Sequence, residues 1–268
     1  METIAFLGLG RMGLPMAKRL TAVGFDVRVW NRTPGKGAGL EEAGGAAEAV
    51  RGAGVVVTML ADGAALREVA GRIVGELAPG TLWVEMSSVG PVAVAELRAE
   101  LPYGVGLVDA PVLGSVGPAA SGGLTVLAGG RAEDVARARP VLAALGTVVD
   151  CGGPGTGAAL KVVVISAIVG GVALVGEALA VADGYGLPAE LTAEVLGAGP
   201  LAGLLARATS TEADFPVRLA AKDVALAAGT GPVLAAVAEG LNSRPGLAEQ
   251  DLARYVDALR AEAAAPAR

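Results

Sequence analysis

Two textures of apolar and polar positions divide the chain. Up to about residue 150, short apolar runs rich in β-branched residues alternate with stretches whose apolar positions recur at helical spacing. The runs predict strands over Thr3–Gly8, Asp26–Trp30, Val55–Leu60, Thr81–Glu85, Val105–Asp109, Leu124–Ala128 and Thr147–Asp150. The helical stretches fall at Met12–Val23, Ala64–Leu77, Pro91–Leu101 and Ala132–Leu145. Such alternation specifies an α/β fold with a mostly parallel, doubly wound sheet, whose ligand sits at the carboxyl ends of the strands. After Gly157 only helical patterns remain: Ala158–Tyr185, Pro188–Leu196, Leu201–Ala208, Pro216–Ala228, Val233–Leu241 and Leu247–Ala261. The expected organisation is an α/β domain over residues 1–157 and an all-helical domain over residues 158–268. The breaker cluster Gly152-Gly153-Pro154-Gly155 marks the junction, and Ala263–Arg268 reads as a frayed tail.

The first strand runs into Gly8-Leu9-Gly10-Arg11-Met12-Gly13, a G-x-G-x-x-G that opens the first helix. Gly8 permits the tight turn, Gly10 lets a pyrophosphate approach the backbone, and Gly13 allows close packing of helix on strand. The phosphates face the positive end of the helix. The type of dinucleotide is read at the end of the second strand, where an NAD site places Asp or Glu for the ribose hydroxyls. Here Asn31, Arg32 and Thr33 follow Trp30. A guanidinium forks onto a 2′-phosphate that a carboxylate would repel, and Asn and Thr add neutral donors, so the balance of charge favours NADP(H). A polar turn without a ligand is the other reading, since Pro34 and Gly35 follow.

Composition narrows the chemistry. Across 268 residues the net charge is −6 with no long basic run, which argues against nucleic acid as a partner. The single cysteine, Cys151, allows no internal disulfide and no multi-cysteine metal site. There is no histidine, so no metal site is expected and proton transfer falls to Lys, Tyr, Asp, Glu, Ser or water. No basic leader precedes the first strand, and no signal peptide is expected. The fifteen uncharged residues between Lys161 and Glu177 are fewer than the ~20 a membrane span requires. They read as a buried helix, sandwiched between the two halves or against a second subunit, in a cytoplasmic protein without a membrane partner.

Three further segments carry candidate chemistry. Ser88, after the strand ending at Glu85, is placed either to donate to a ligand or, with Ser87, to cap the next helix. The stretch from Asp109-Ala110-Pro111-Val112 to Leu113-Gly114-Ser115 delivers a loop of little bulk whose backbone N–H groups can cradle a carboxylate; a hairpin-like connection is the alternative. Gly155-Thr156-Gly157-Ala158-Ala159-Leu160-Lys161 puts one lysine at the start of an uncharged helix. There it either loses solvation and becomes able to exchange protons, or snorkels to the surface. Without histidine, Lys161 is the best proton-transfer candidate.

Taken together these motifs resemble the β-hydroxyacid dehydrogenase family, the group around 3-hydroxyisobutyrate dehydrogenase and the glyoxylate/succinic semialdehyde reductases. The resemblance rests on Phe6 to Ala17, Asn31-Arg32-Thr33, Asp109-Ala110-Pro111-Val112 with its downstream Gly-Gly-Leu-Thr, Gly155-x-Gly157-x-x-x-Lys161, Asp214-Phe215-Pro216 and Lys222-Asp223-Val224-Ala225-Leu226-Ala227. It covers nearly the whole chain. It implies an N-terminal Rossmann domain, an all-helical C-terminal domain, a homodimer or homotetramer, and hydride transfer between a nicotinamide and a small carbonyl or hydroxy compound. It further implies Lys161 as general acid or base, Lys222 beside the nicotinamide, Leu60 and Ser88 against the cofactor, and Leu113, Gly114 and Ser115 around a substrate carboxylate. The sequence departs from the family pattern at Ile165, where Asn is usual, and at Leu113, often Ser. The region after Gly229 is also slightly shortened. Two branched apolar groups in place of polar ones point to a larger or less polar substrate. An imine reductase-like enzyme and a non-catalytic NADP-binding scaffold or sensor are the alternative functions; Lys161 argues for carbonyl chemistry against the first, and the retained Lys161 and Lys222 weigh against the second.

Overall fold

The computed structural model describes residues 2–264, so Ala265 to Arg268 of the expected tail lie outside the described residues. The chain divides into two compact units, Met1–Lys161 and Val162–Arg268. The division falls four residues beyond the expected junction at 157, inside a helix.

The first unit holds a nine-stranded sheet among the described residues. Its strands are β1 (Ile4–Leu7), β2 (Val27–Trp30), β3 (Glu41–Glu42), β4 (Val55–Thr58), β5 (Leu82–Glu85), β6 (Gly106–Asp109), β7 (Val112–Leu113), β8 (Leu124–Gly130) and β9 (Gly146–Gly152). The order is β3-β2-β1-β4-β5-β6-β8-β7, with β9 also paired to β8. From β3 to β6 every pairing is parallel, whereas β8 runs antiparallel to β6 and β7. The order reverses between β1 and β4, the switch point at which a Rossmann sheet opens its ligand crevice.

Why the strands read as continuous apolar runs is clear from the two cores. Ile4 and Phe6, Val55 and Val57, Leu82 and Val84 face one core; Ala5 and Leu7, Val56 and Trp83 face the other. The period of two serves both faces at once, because helices cover both. Met16, Ala17 and Leu20 of α1 (Gly13–Ala22) and Val135, Ala138, Leu142 and Leu145 of α6 (Ala132–Leu145) close the first core. The second is closed by Ala46, Ala49 and Val50 of α2 (Ala46–Val50), by Leu66, Val69, Ala70 and Ile73 of α3 (Gly63–Ile73), and by Val94 and Leu97 of α4 (Gly90–Glu100).

Sequence patterning misses β3, α2, β7 and α5 (Val116–Ser121). β3 is a pair of glutamates with no apolar run, held beside β2 by its ladder and by Arg28 Nε on Glu41 Oε1 at 3.0 Å. The N-cap position of α4 is Val89, without a side-chain cap, and Ser87 and Ser88 precede it.

The second unit is helical: the larger part of α7 (Thr156–Gly184), then α8 (Ala189–Gly197), α9 (Ala202–Thr209), α10 (Val217–Ala225), α11 (Pro232–Asn242) and α12 (Ala253–Ala264). Its core joins Val169, Val172, Val175 and Leu179 of α7 to Leu205, Val217, Ala220, Val224, Leu241, Leu252 and Val256. By length and composition α7 would suffice to cross a membrane, yet this face belongs to a folded core. Its opposite face is exposed in the single chain: Val163, Leu174 and Val181 are 65%, 63% and 58% exposed. The single helix expected over Leu247–Ala261 is also corrected. Pro245–Leu247 forms a 3-10 turn, and α12 starts only at Ala253, where Asp251 Oδ1 accepts from the Ala253 N–H at 2.8 Å. Ala263 and Ala264, expected in the tail, belong to the last turn of α12.

Candidate active site

The β1–α1 turn is built by three glycines with different duties. Gly8 has φ +101°, and a Cβ there would run into the Met59 carbonyl and approach Leu60 Cδ2. A Cβ on Gly13 would strike the Gly8 carbonyl, so Gly13 sets how closely α1 approaches the turn. A Cβ on Gly10 would meet nothing within 4 Å. The space over Gly10 is therefore left to a ligand, which is what a pyrophosphate cradle requires. Met12, at the N-cap position of α1, makes no side-chain cap, and the first-turn N–H groups around Arg11, Met12 and Gly13 suit an anion.

Asn31 at the end of β2 has a structural duty. Its Oδ1 accepts from the Leu9 N–H at 2.9 Å, and its Nδ2 donates to the Thr33 carbonyl at 2.9 Å. The side chain ties the glycine turn to the β2 loop and has its amide engaged at both ends. Arg32 is exposed beside it and lines a cleft of about 470 Å³ with Trp30, Asn31, Pro34, Gly35 and Arg72. Thr33 is exposed.

A buried polar chain links the ends of β4 and β5. Trp83 Nε1 donates to Thr58 Oγ1 at 2.7 Å, and the Thr58 hydroxyl donates to Glu85 Oε2. Glu85 Oε1 accepts from the Ser87 N–H at 2.7 Å, and Ser87 Oγ accepts from the Leu60 N–H at 2.7 Å. Burial pushes the Glu85 carboxyl up to about 7, against the opposing pull of the Ser87 and Thr58 hydrogen bonds. Ser87, not Ser88, braces Leu60; Ser88 is half-buried next to it.

Lys161 is placed by Asp109. This carboxylate, buried at the end of β6, accepts from the Gly155 N–H and the Ala158 N–H, each at 2.7 Å, and so closes the N-terminus of α7. Burial raises the Asp109 carboxyl above its usual range, more than its bonds to Ala158 and Gly155 lower it. Gly155 has φ +84°, and a Cβ on Gly157 would collide with the Leu127 carbonyl and crowd the Asp109 carbonyl. That close approach is the physical content of the Gly155-x-Gly157 spacing. Lys161 follows at the next turn, 8% exposed, its Nζ donating to the Val112 carbonyl at 2.8 Å.

That bond brings Lys161 beside β7 and its loop. Val112 and Leu113 pair with Val126 and Thr125 of β8, Gly114 has φ +131°, and Ser115 is the residue before α5. The hairpin-like connection and the loop candidate are thus the same piece of chain. The first unit gathers Gly8, Leu9, Asn31 and Leu60 around the glycine turn, and Leu113, Gly114 and Ser115 near Lys161. Ile165 and Lys222 belong to the second unit. Ile165 sits in its hydrophobic core, and Lys222 on α10 lies 2.7 Å from Asp223 Oδ1, an ion-pair distance without hydrogen-bond alignment. Among the described residues no group of three or more His, Cys, Asp or Glu is placed to hold a metal ion. Sequence reasoning missed Asp109, Glu85 and Ser87 as site-building residues. The signal was available: a carboxylate ending an apolar strand has to find buried donors.

The chain is similar to known proteins along most of its length. A family model described as the NAD binding domain of 6-phosphogluconate dehydrogenase matches residues 3–153. The NAD-dependent L-serine dehydrogenase of Pseudomonas aeruginosa is 34% identical over 257 residues, covering 85% of this chain and 84% of that protein. The 3-hydroxyisobutyrate dehydrogenase of the same organism is 33% identical over 254 residues, with 85% and 84% covered. The Mycobacterium tuberculosis 3-hydroxyisobutyrate dehydrogenase, solved with L-serine, superimposes with a TM-score of 0.85 at 28% identity, over 97% of this chain and 99% of that one.

Proposed function

Since the chain belongs to the β-hydroxyacid dehydrogenase family and is a nicotinamide-dependent oxidoreductase, we propose that it works with NADP(H) on a small carbonyl or hydroxy compound larger or less polar than 3-hydroxyisobutyrate. The observation that carries the cofactor choice is the end of β2. No carboxylate follows Trp30 directly; the Asn31 amide is engaged in bracing the glycine turn, and Arg32 lines the adjoining cleft. A guanidinium there forks onto a 2′-phosphate and gains little from a bare ribose hydroxyl. The space over Gly10 and the uncapped start of α1 fit the pyrophosphate.

When bound, the cofactor exchanges a hydride with the substrate carbon. The protein's part is to hold the substrate and move one proton. Lys161, anchored by its bond to the Val112 carbonyl, donates a proton to the carbonyl oxygen in reduction and takes it from the hydroxyl in oxidation. Asp109 fixes the helix start that aims it. Leu113, Gly114 and Ser115 border the substrate, and Leu60 and Ser88 border the cofactor. The family resemblance assigns Lys222 to the cofactor and Ile165 to the substrate; the half-buried, branched Leu113 supports a less polar substrate. The exposed apolar face of α7, with Val163, Leu174 and Val181, supports a homodimer or homotetramer.

The test is NADPH oxidation across short aldehydo acids, bulkier carbonyls and cyclic imines, with NADH in parallel. Preference for a bulkier carbonyl with NADPH supports the reading. Preference for glyoxylate or succinic semialdehyde, unaffected by Ile165→Asn, overturns the substrate part; equal use of NADH overturns the cofactor part.

A further inference from the structure

Arg32 is not the only guanidinium on the cleft beside β2. Arg72, in the last turn of α3, lines the same cleft. Both arginines meet one carboxylate. Arg72 Nη2 lies 2.7 Å from Glu68 Oε1, and Arg32 Nη1 lies 3.7 Å from Glu68 Oε2, so each oxygen of Glu68 serves one arginine. The group carries two positive charges and one negative, and all three side chains are well exposed. Ion pairs in such a setting are weak and exchange readily. Glu68 lies behind the two arginines, outside the cleft lining; the acidic side chain that does line the cleft, Glu42, has both oxygens taken by the loop: Oε1 accepts from the Gly35 N–H at 2.9 Å and Oε2 from the Gly37 N–H at 3.0 Å.

We propose that Arg72 is a second reader of the cofactor's 2′-phosphate and that Glu68 is the carboxylate this phosphate displaces. The inference rests on the NADP(H) reading and extends it to two residues of α3. A phosphomonoester carries nearly two negative charges and three acceptor oxygens, enough to engage two guanidiniums at once. A carboxylate has one charge and two oxygens, so the exchange from Glu68 to phosphate favours the phosphate. A ribose that ends in a hydroxyl has no charge with which to compete, and leaves the Glu68 pairs in place. Glu68 thus pre-positions both arginines and at the same time sets a threshold that only a strong anion passes.

The test uses calorimetric titration with adenosine 2′,5′-bisphosphate and with 5′-AMP, alongside NADPH and NADH, on the full chain. Circular dichroism verifies the fold of each variant. Arg72→Ala is expected to weaken the 2′-phosphorylated ligands about tenfold, the loss of roughly one charge-assisted contact, with AMP and NADH within twofold. Arg72→Lys recovers part of that loss, and Glu68→Gln tightens the 2′-phosphorylated ligands severalfold by removing their competitor. If Arg32→Ala weakens NADPH selectively and Arg72→Ala does not, the role of Arg72 is overturned while the NADP(H) reading stands. If the unaltered chain binds AMP and the bisphosphate equally, both are overturned.

Discussion

Glu85 offers a perturbation whose sign and size follow from its surroundings. Its carboxyl is fully buried between Thr58 and the Ser87 N–H, and burial raises it from the ordinary 4.5 to about 7. Below about pH 4.5 the group is protonated in folded and unfolded chains alike, and its contribution to stability is fully present. As pH rises, the unfolded chain releases the proton first, and the folded chain gives it up only near 7, at the expense of a buried charge. Stability therefore falls across this window, by about 3 kcal/mol in all. Glu85→Gln mimics the neutral acid: its amide can donate to Thr58 Oγ1 while its oxygen keeps the Ser87 N–H. Urea denaturation at pH 5, 6, 7 and 8, followed by the fluorescence of the two tryptophans, Trp30 and Trp83, reads the difference. At pH 5 the two proteins should agree to within about 1 kcal/mol. By pH 8 the gap should have widened by about 2–3 kcal/mol in favour of the variant. A gap that stays constant with pH, or widens in the other direction, refutes the reasoning.

Gly10→Ala should leave the melting temperature unchanged, because its Cβ meets nothing, yet weaken NADPH binding at least tenfold in a fluorescence titration; Gly8→Ala should lower the melting temperature through its φ of +101° and the Met59 carbonyl. Asp109→Ala strands the Gly155 and Ala158 N–H groups, and denaturant titration should show a loss of about 1–3 kcal/mol, with turnover reduced more than cofactor affinity. In the helical unit, Asp251 accepts from both Arg207 guanidinium nitrogens, at 3.0 and 3.1 Å, and from the Phe215 and Ala253 N–H groups. Asp251→Ala should cost about 3–5 kcal/mol, since it leaves a largely buried arginine unpartnered; a loss under 1 kcal/mol would contradict that weight.

Much of the first unit was legible because its strands bury both faces and so announce themselves as unbroken apolar runs, and because the glycine turn has no cheaper solution at φ +101°. What escaped was decided by long-range partners. β3 is two glutamates that become a strand only because β2 lies alongside, and α12 starts late because Asp251 is recruited by Arg207 and Phe215. The site shows the same division. Lys161 and the loop at Leu113 could be named from spacing, and the bond from Lys161 to Val112 brings them together. That Asp109 needs buried donors was legible from its place at the end of an apolar strand; that those donors open the lysine's helix, with Lys161 52 residues downstream, was not, because a cap across that separation has no local signature. Asn31 has a second duty that spacing does not show: its amide also ties Leu9 to Thr33, contacts that only the folded turn creates.

The central claim is that Lys161 supplies the proton for reduction while NADPH occupies the glycine turn. Single-turnover NADPH oxidation by Lys161→Met, with the best carbonyl from the substrate screen, tests it most directly. The rate should fall by about 10²- to 10⁴-fold, with the NADPH dissociation constant within about threefold of the unaltered protein. A variant that retains its rate to within tenfold would contradict the claim, and the proton would have to come from another group.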